Sequence, residues 1–365
     1  MGDLVRTAAE LNAACAEARA DGILSLDTEF VWTRTYRPQL GIVQIGARNS
    51  CWALDCMTAM DVTALKDLIE DPSTVKILHD ARQDLTHLRH WPGAAPKNVF
   101  DTQLAAAFAG FPSGIGLQKL LLEACDVGLP KTETCTDWTQ RPLSEAQVRY
   151  ALDDVRYLPA LRDELLGRAE RFGTRAWLEE DLLRYDDEAL YGDYDPNELW
   201  KRVKLRRIRL DGRGRAVLRA VTAKREELAR QRNLPRAWLG DDESLAEMAA
   251  TGRVTWLRHR LRGGLGDTIR AIYAETVAKA LETPEEDWPE DPRRHYIAEV
   301  LDAADAALGW LADRAEEIHV DAGAIATRAT VTAFVDDVGD ETNPLATGWR
   351  YEVVGREMAE RFGVD

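Results

Sequence analysis

Seven consecutive residues, Leu24-Ser25-Leu26-Asp27-Thr28-Glu29-Phe30, read as an apolar strand that carries two carboxylates where a core would take aliphatic side chains. Side chains two apart on a strand leave from the same face, so Asp27 and Glu29 project together. Two carboxylates held that close repel and lose hydration, an arrangement that a divalent cation between them stabilises. Three further acids extend the pattern. Asp80 and Asp84 lie one helical turn apart just after an apolar run, and Tyr150 and Asp154 are spaced i, i+4 on one helix face, with Asp153 one position round the helix. Taken singly, each of these acids reads more readily as a solvated surface charge.

The elements that must position these groups are legible in outline. Residues 3–20 have helical spacing, and 22–30, 40–47 and 51–54 read as strands, with Arg48-Asn49-Ser50 as the turn of a hairpin. A helix over 61–70, a strand over 75–79, a helix over 80–90 and a short strand at Val99-Phe100 follow, then helices over 114–124 and 144–170, the last opened by Ser144 as its cap. Hairpin-paired strands followed by strands separated by helices predict a mixed five-stranded α/β sheet with flanking helices. Beyond it the pattern is helical at 213–232, 242–250, 266–281 and from 293 onward, with the β-branched run Val331–Val335 and the loop 339–343 as interruptions.

The composition bounds the function. The chain has 365 residues, 45% hydrophobic and 30% charged, with no apolar run of membrane-spanning length and no secretory leader, which predicts a cytoplasmic protein of two or three domains. Five cysteines without C-x-x-C spacing argue against a disulfide framework or structural zinc. The net charge of −16 conceals a block structure: residues 201–236 hold fourteen Lys or Arg against three acids, whereas 179–198 hold nine acids against Arg184. The basic block is a candidate phosphate-facing surface, and a solvated, salt-bridged helix is the equal alternative.

Order and spacing together carry more than any one motif. Asp27-Thr28-Glu29, Asp84 and Tyr150-x-x-x-Asp154 resemble the three exonuclease motifs of the DEDD superfamily, tyrosine branch. Asp27–Phe30 with 35–40, Phe100-Asp-Thr-Gln103, Thr136-Asp-Trp-Thr-Gln-Arg-Pro-Leu143 and 150–158 are similar to the ribonuclease D family. The resemblance implies a ribonuclease H-like exonuclease domain at 1–178, an acidic linker at 179–200, an all-α helicase-and-ribonuclease-D C-terminal (HRDC-like) domain at 201–281, a linker at 282–292 and a second, divergent HRDC-like domain at 293–365. It implies a monomeric 3′→5′ exoribonuclease acting on RNA 3′ ends, tRNA precursors among them, with two divalent ions, Mg²⁺ or Mn²⁺, on Asp27, Glu29, Asp84 and Asp154. Hard oxygen ligands without a His/Cys cluster suit those ions. Tyr150 is expected to orient the attacking water, its ordinary pKa of about 10 making it a poor base. Thr28, Phe30, Gln44 and Gln83 are expected substrate contacts, although Phe30 reads equally as packing and Gln44 and Gln83 as structural polar residues. A DNA exonuclease and a non-catalytic RNA-binding scaffold are the rival readings. The retained carboxylates, which repel phosphate, argue against the scaffold.

Overall fold

The computed structural model describes residues 3–130, 136–254 and 264–364. Cys135 and Gly263 lie outside them, and the four described cysteines are free thiols. The chain divides into two compact units, one of residues 1–30, 40–192 and 296–365, the other of 31–39 and 193–295.

The first unit is built on one sheet. It starts with β1 (Asp3–Val5), α1 (Ala8–Asp21), β2 (Ile23–Val31), β3 (Gln39–Gly46), β4 (Cys51–Asp55), α2 (Thr63–Glu70), β5 (Val75–Leu78), α3 (Arg82–His90) and β6 (Val99–Asp101). Among the described residues the sheet has six strands in the order β1-β4-β3-β2-β5-β6, one more than expected. The additional strand is β1, whose three residues were expected to open the first helix. It pairs parallel to β4, and the helix begins only after Thr7, whose side chain forms a capping box with Glu10. β3 and β4 pair antiparallel as the hairpin signal predicted, while β2, β5 and β6 run parallel to one another. The strands are buried in near-continuous runs, as in a sheet covered on both faces, and Leu24, Leu26, Val43, Ile45, Leu54 and Leu78 join Leu85 of α3 and their neighbours in the core.

Helices α4 (Thr102–Phe108), α5 (Leu117–Cys125), α6 (Glu145–Arg156), α7 (Leu158–Phe172) and α8 (Arg175–Leu182) follow. The expected helix over 144–170 is two helices, broken at Tyr157, with Ser144 and Gln147 closing the cap of the first. The stretch expected to be a linker from 179 is folded onto the sheet. Tyr185 and Tyr191 are in the core, and the Tyr185 hydroxyl donates to Asp101 at 2.5 Å.

In the second unit α9 (Gly212–Arg232), α10 (Arg236–Leu239), α11 (Asp242–Thr251) and α12 (Gly264–Ala280) pack around Val217, Leu218, Val221, Leu245 and Tyr273. Tyr36, from the excursion between β2 and β3, is part of that core. Its hydroxyl donates to the buried Glu226, which also accepts from Arg230 Nε and Arg236 Nη2, both at 2.9 Å.

Residues 296–365 return to the first unit as α13 (Ala298–Glu317), α14 (Ala322–Ile325), α15 (Arg328–Asp336), α16 (Gly348–Arg350) and α17 (Arg356–Phe362). The β-branched run expected to interrupt this region is helical. It lies in α15, capped by Thr327 and buried through Val331, Phe334 and Val335, so tertiary burial overrides β propensity. The buried Asp181 carboxylate anchors the return, accepting from Arg350 at 2.5 and 2.7 Å, Trp349 Nε1 at 2.9 Å and Arg184 at 2.6 Å. Trp349 stacks on Trp177 and meets Phe108 edge-on.

Candidate active site

Strand register explains why the site opens where it does. Ser25 stands opposite Ile77 in the parallel β2–β5 pair, so β5 ends level with Leu26. Asp27 and Glu29 lie on β2 beyond that level, where the chain turns away toward α3. Parallel strands that end beside helix starts leave such crevices at their C-terminal edge.

The start of α3 is fixed by a polar knot. Asp80 sits at φ 57°, a conformation that Asp tolerates better than most residues, and its N–H and that of Ala81 both donate to Asp101 at 3.0 Å. Asp101 also accepts from Gln103 N at 2.8 Å and so caps α4. This anchor presents Asp84 from the first turn of α3. On the other side α6 approaches the sheet closely over Gly46, where a Cβ would lie 3.0 Å from Ser25 Cβ and 3.3 Å from the Val155 carbonyl oxygen.

Asp27, Glu29 and Asp154 each present a carboxylate oxygen, and these oxygens all lie within 4.8 Å of one another. Asp84 stands beside this group. One of its oxygens accepts from the Thr28 hydroxyl, and its charge acts on all three partners. Burial is the largest cause of the raised titration at each, and neighbouring carboxylates add to it, Asp80 and Asp101 at Asp84 and Asp153 at Asp154. Asp27 is pushed well above the ordinary carboxylate range, Glu29 up to about 8 by burial and by Asp154 and Asp84, and Asp84 and Asp154 each up to about 7. The Tyr150 hydroxyl interacts with Asp154, and burial with the nearby Asp154, Glu29 and Asp27 charges raises it above its ordinary value. Four buried carboxylates with raised pKa values that supply only oxygen donors fit a hard divalent cation.

The expected substrate contacts are placed differently. Thr28 is buried, and its hydroxyl contacts Asp84 and, at 2.9 Å, His87 Nδ1. Gln44 is also buried, and its amide donates to Asp27 at 3.3 Å, so both residues position carboxylates rather than offering a surface. Phe30 is half-buried, with its ring 4.3 Å from that of His87 in a T-shaped contact, and Gln83 is exposed. His79, directly after β5, bonds Thr102 at 2.9 Å.

Sequence reasoning missed three residues. His87, held at about 4 by burial and so neutral, follows Asp84 by one helical step, and that i+3 spacing was the available signal. Trp138 is buried with its ring 6.1 Å from that of Tyr150. Arg141 ties this segment to the hairpin, donating to Asp55 at 2.6 and 2.9 Å, to the Gly41 carbonyl at 2.9 Å and to the Trp138 carbonyl at 2.9 Å. Gly41 is required by the approach, since a Cβ there would lie 2.2 Å from the Trp138 carbonyl oxygen. Beside Tyr150 and Asp154 a cleft of about 160 Å³ is walled by Gln118, Leu129, Pro130 and Arg149.

A family profile described as 3′-5′ exonuclease matches residues 3–169, so the sheet with its carboxylates is a 3′-5′ exonuclease domain. The ribonuclease D of Desulfotalea psychrophila is 36% identical over 301 residues, covering 81% of this chain and 80% of that protein. That of Acidiphilium cryptum is 32% identical over 368 residues, covering 99% and 93%. The crystal structure of Escherichia coli RNase D, an exoribonuclease involved in structured RNA processing, matches with a TM-score of 0.83 and 26% identity over 100% of both chains. The chain belongs to the ribonuclease D family of 3′-5′ exoribonucleases. No helix among the described residues is long and apolar enough to cross a membrane.

Proposed function

We propose that this chain removes nucleotides one at a time from RNA 3′ ends, precursor tRNAs and other small structured RNAs among them, and releases nucleoside 5′-monophosphates. The observation that carries the reading is the carboxylate group of Asp27, Glu29 and Asp154 with Asp84 beside it, in which burial and neighbouring negative charges raise every pKa. Asp27, Glu29, Asp84 and Asp154 would hold two divalent ions, Mg²⁺ or Mn²⁺, which supply charge stabilisation to the attacking and leaving oxygens of phosphodiester hydrolysis.

The chain's own groups do the rest. Glu29, a ligand in this reading, would also touch the attacking water and hold it by a hydrogen bond. Tyr150 keeps its proton, so it serves as a hydrogen-bond donor that orients that water. Thr28 and Gln44 hold Asp84 and Asp27 in place. In the second unit Lys204, Arg206, Arg207, Arg209 and Arg213 are exposed and suit phosphate contacts, whereas Arg225, Arg230 and Arg236 of the same basic block are tied to Asp242 and Glu226 within the unit.

The test is digestion of a 3′-extended tRNA and a matched single-stranded DNA, each labelled at the 5′ end, with Mg²⁺, Mn²⁺ or EDTA. The expected result is a stepwise ladder on RNA that needs the metal and disappears in Asp27→Ala. A ladder mainly on DNA would make the chain a DNA exonuclease, and RNA binding without any ladder would make it a scaffold.

A further inference from the structure

The first unit contains a groove of about 940 Å³ that the carboxylate site does not account for. Four exposed arginines line it: Arg6 from the connection after β1, Arg48 from the β3–β4 turn, and Arg149 and Arg156 from α6. Trp52, on β4, adds a half-buried aromatic face. Glu17 and Glu145 are the acids of its wall, so the lining carries a net positive charge in a chain of net charge −16. Arg48 and Arg156 also reach Asp163 and Asp153, at 3.1 and 2.9 Å. Arg6 and Arg149 form no ion pair among the described residues.

Helix α6 borders both this groove and the catalytic cleft. Its positions 145, 149, 152 and 156 fall on one helical stripe and line the groove, while 150 and 154 face the carboxylate site. Arg149 lines both cavities. A polyanion whose 3′ end enters at Tyr150 and Asp154 therefore meets Arg149 first and the remaining arginines next. An arginine-lined channel with an aromatic wall is the chemistry that tracks a single-stranded nucleic-acid backbone in a sequence-tolerant way.

We propose that this groove binds the phosphodiester backbone of the RNA strand upstream of the 3′-terminal nucleotide, so that the exonuclease unit holds several nucleotides of its substrate without help from the second unit. The proposal rests on the exonuclease reading for the direction of the strand. Substrates long enough to reach Arg6 and Arg48 gain affinity, and a tetranucleotide that occupies only the cleft does not.

The test uses the full chain, single-stranded RNAs of about 4 and about 16 nucleotides, and two readouts. One is equilibrium binding in EDTA across a salt series, and the other is trimming with Mg²⁺. For the Arg6→Gln/Arg48→Gln variant the expected result is about a tenfold loss of affinity for the longer RNA and a salt slope shallower by about 1.4, with tetranucleotide trimming intact. Glu17→Lys is expected to tighten the longer RNA by several-fold, a gain that misfolding does not produce. Unchanged binding of the longer RNA in both variants, in a protein that trims normally, would overturn the groove and leave the exonuclease reading standing. A wild-type protein that trims neither RNA would overturn the exonuclease reading itself, and with it the assigned strand direction.

Discussion

Glu29 and Glu226 are both glutamates taken out of water, and they titrate in opposite directions. Burial raises both. At Glu226 hydrogen bonds from Arg236, Tyr36 and Arg230 overcome that rise and hold the group at about 2, whereas at Glu29 the neighbours are Asp154 and Asp84 and the group reaches about 8. A carboxylate that serves the fold brings its counter-charges with it, and one proposed to serve catalysis is left without them. The cost of leaving a buried charge without its partner is several kcal/mol, so the first arrangement stabilises its unit and the second weakens it until a cation binds.

The largest effect that would test this contrast comes from neutralising one acid in each place. Asp27→Asn is expected to reduce RNA trimming by at least about 10³-fold while leaving the urea midpoint unchanged or raised, because it removes repulsion. Glu226→Gln is expected to destabilise the protein by about 3 kcal/mol, because Arg230 and Arg236 lose their buried partner. Equal stability losses in the two variants would break the comparison.

A pH series sharpens it. With EDTA present, Glu29 has a folded pKa of about 8 against an ordinary 4.5, so the folded state holds the extra proton across that window and stability falls as pH rises from about 4.5 to about 8. Glu226, at about 2 against 4.5, stabilises the fold fully above 4.5, and its contribution is lost as pH falls toward 2. Urea unfolding across pH is expected to show both limbs, with Glu29→Gln flattening the upper and Glu226→Gln the lower. Saturating Mg²⁺ is expected to remove the upper limb and leave the lower one.

The smallest effect is at Thr28, whose hydroxyl holds Asp84. Thr28→Val is expected to lower kcat about tenfold with KM unchanged, in line with the loss of one charge-assisted hydrogen bond worth ~1.5 kcal/mol. Thr28→Ser is expected to restore most of it. Steady-state kinetics on one RNA decides the matter.

What the sequence made legible follows from local periodicity. Asp27 with Glu29 on a strand, and Tyr150 with Asp154 on a helix, are spacing relations, and the structure keeps both. The role of Thr28 was hidden because its partner Asp84 is 56 residues away, and strand alternation says only that Thr28 points away from Asp27. β1 was hidden because three residues carry too little pattern to separate a strand from the start of a helix. The stretch from 179 to 192 looked like a linker because its many acids mask Tyr185 and Tyr191, which join the core. The helix over Val331–Val335 shows the same limit, since β-branched residues accept a helix when packing rewards it.

The return of residues 296–365 to the first unit has a consequence for synthesis. The exonuclease sheet is made from the first half of the chain, yet the Arg350 and Trp349 groups that satisfy the buried Asp181 leave the ribosome after the whole of 193–295. Domains tend to fold as they emerge. The helical second unit, most of which is contiguous in sequence, is in a position to fold while the nuclease is still open along α4 and α8. The nuclease begins before the second unit and is sealed after it.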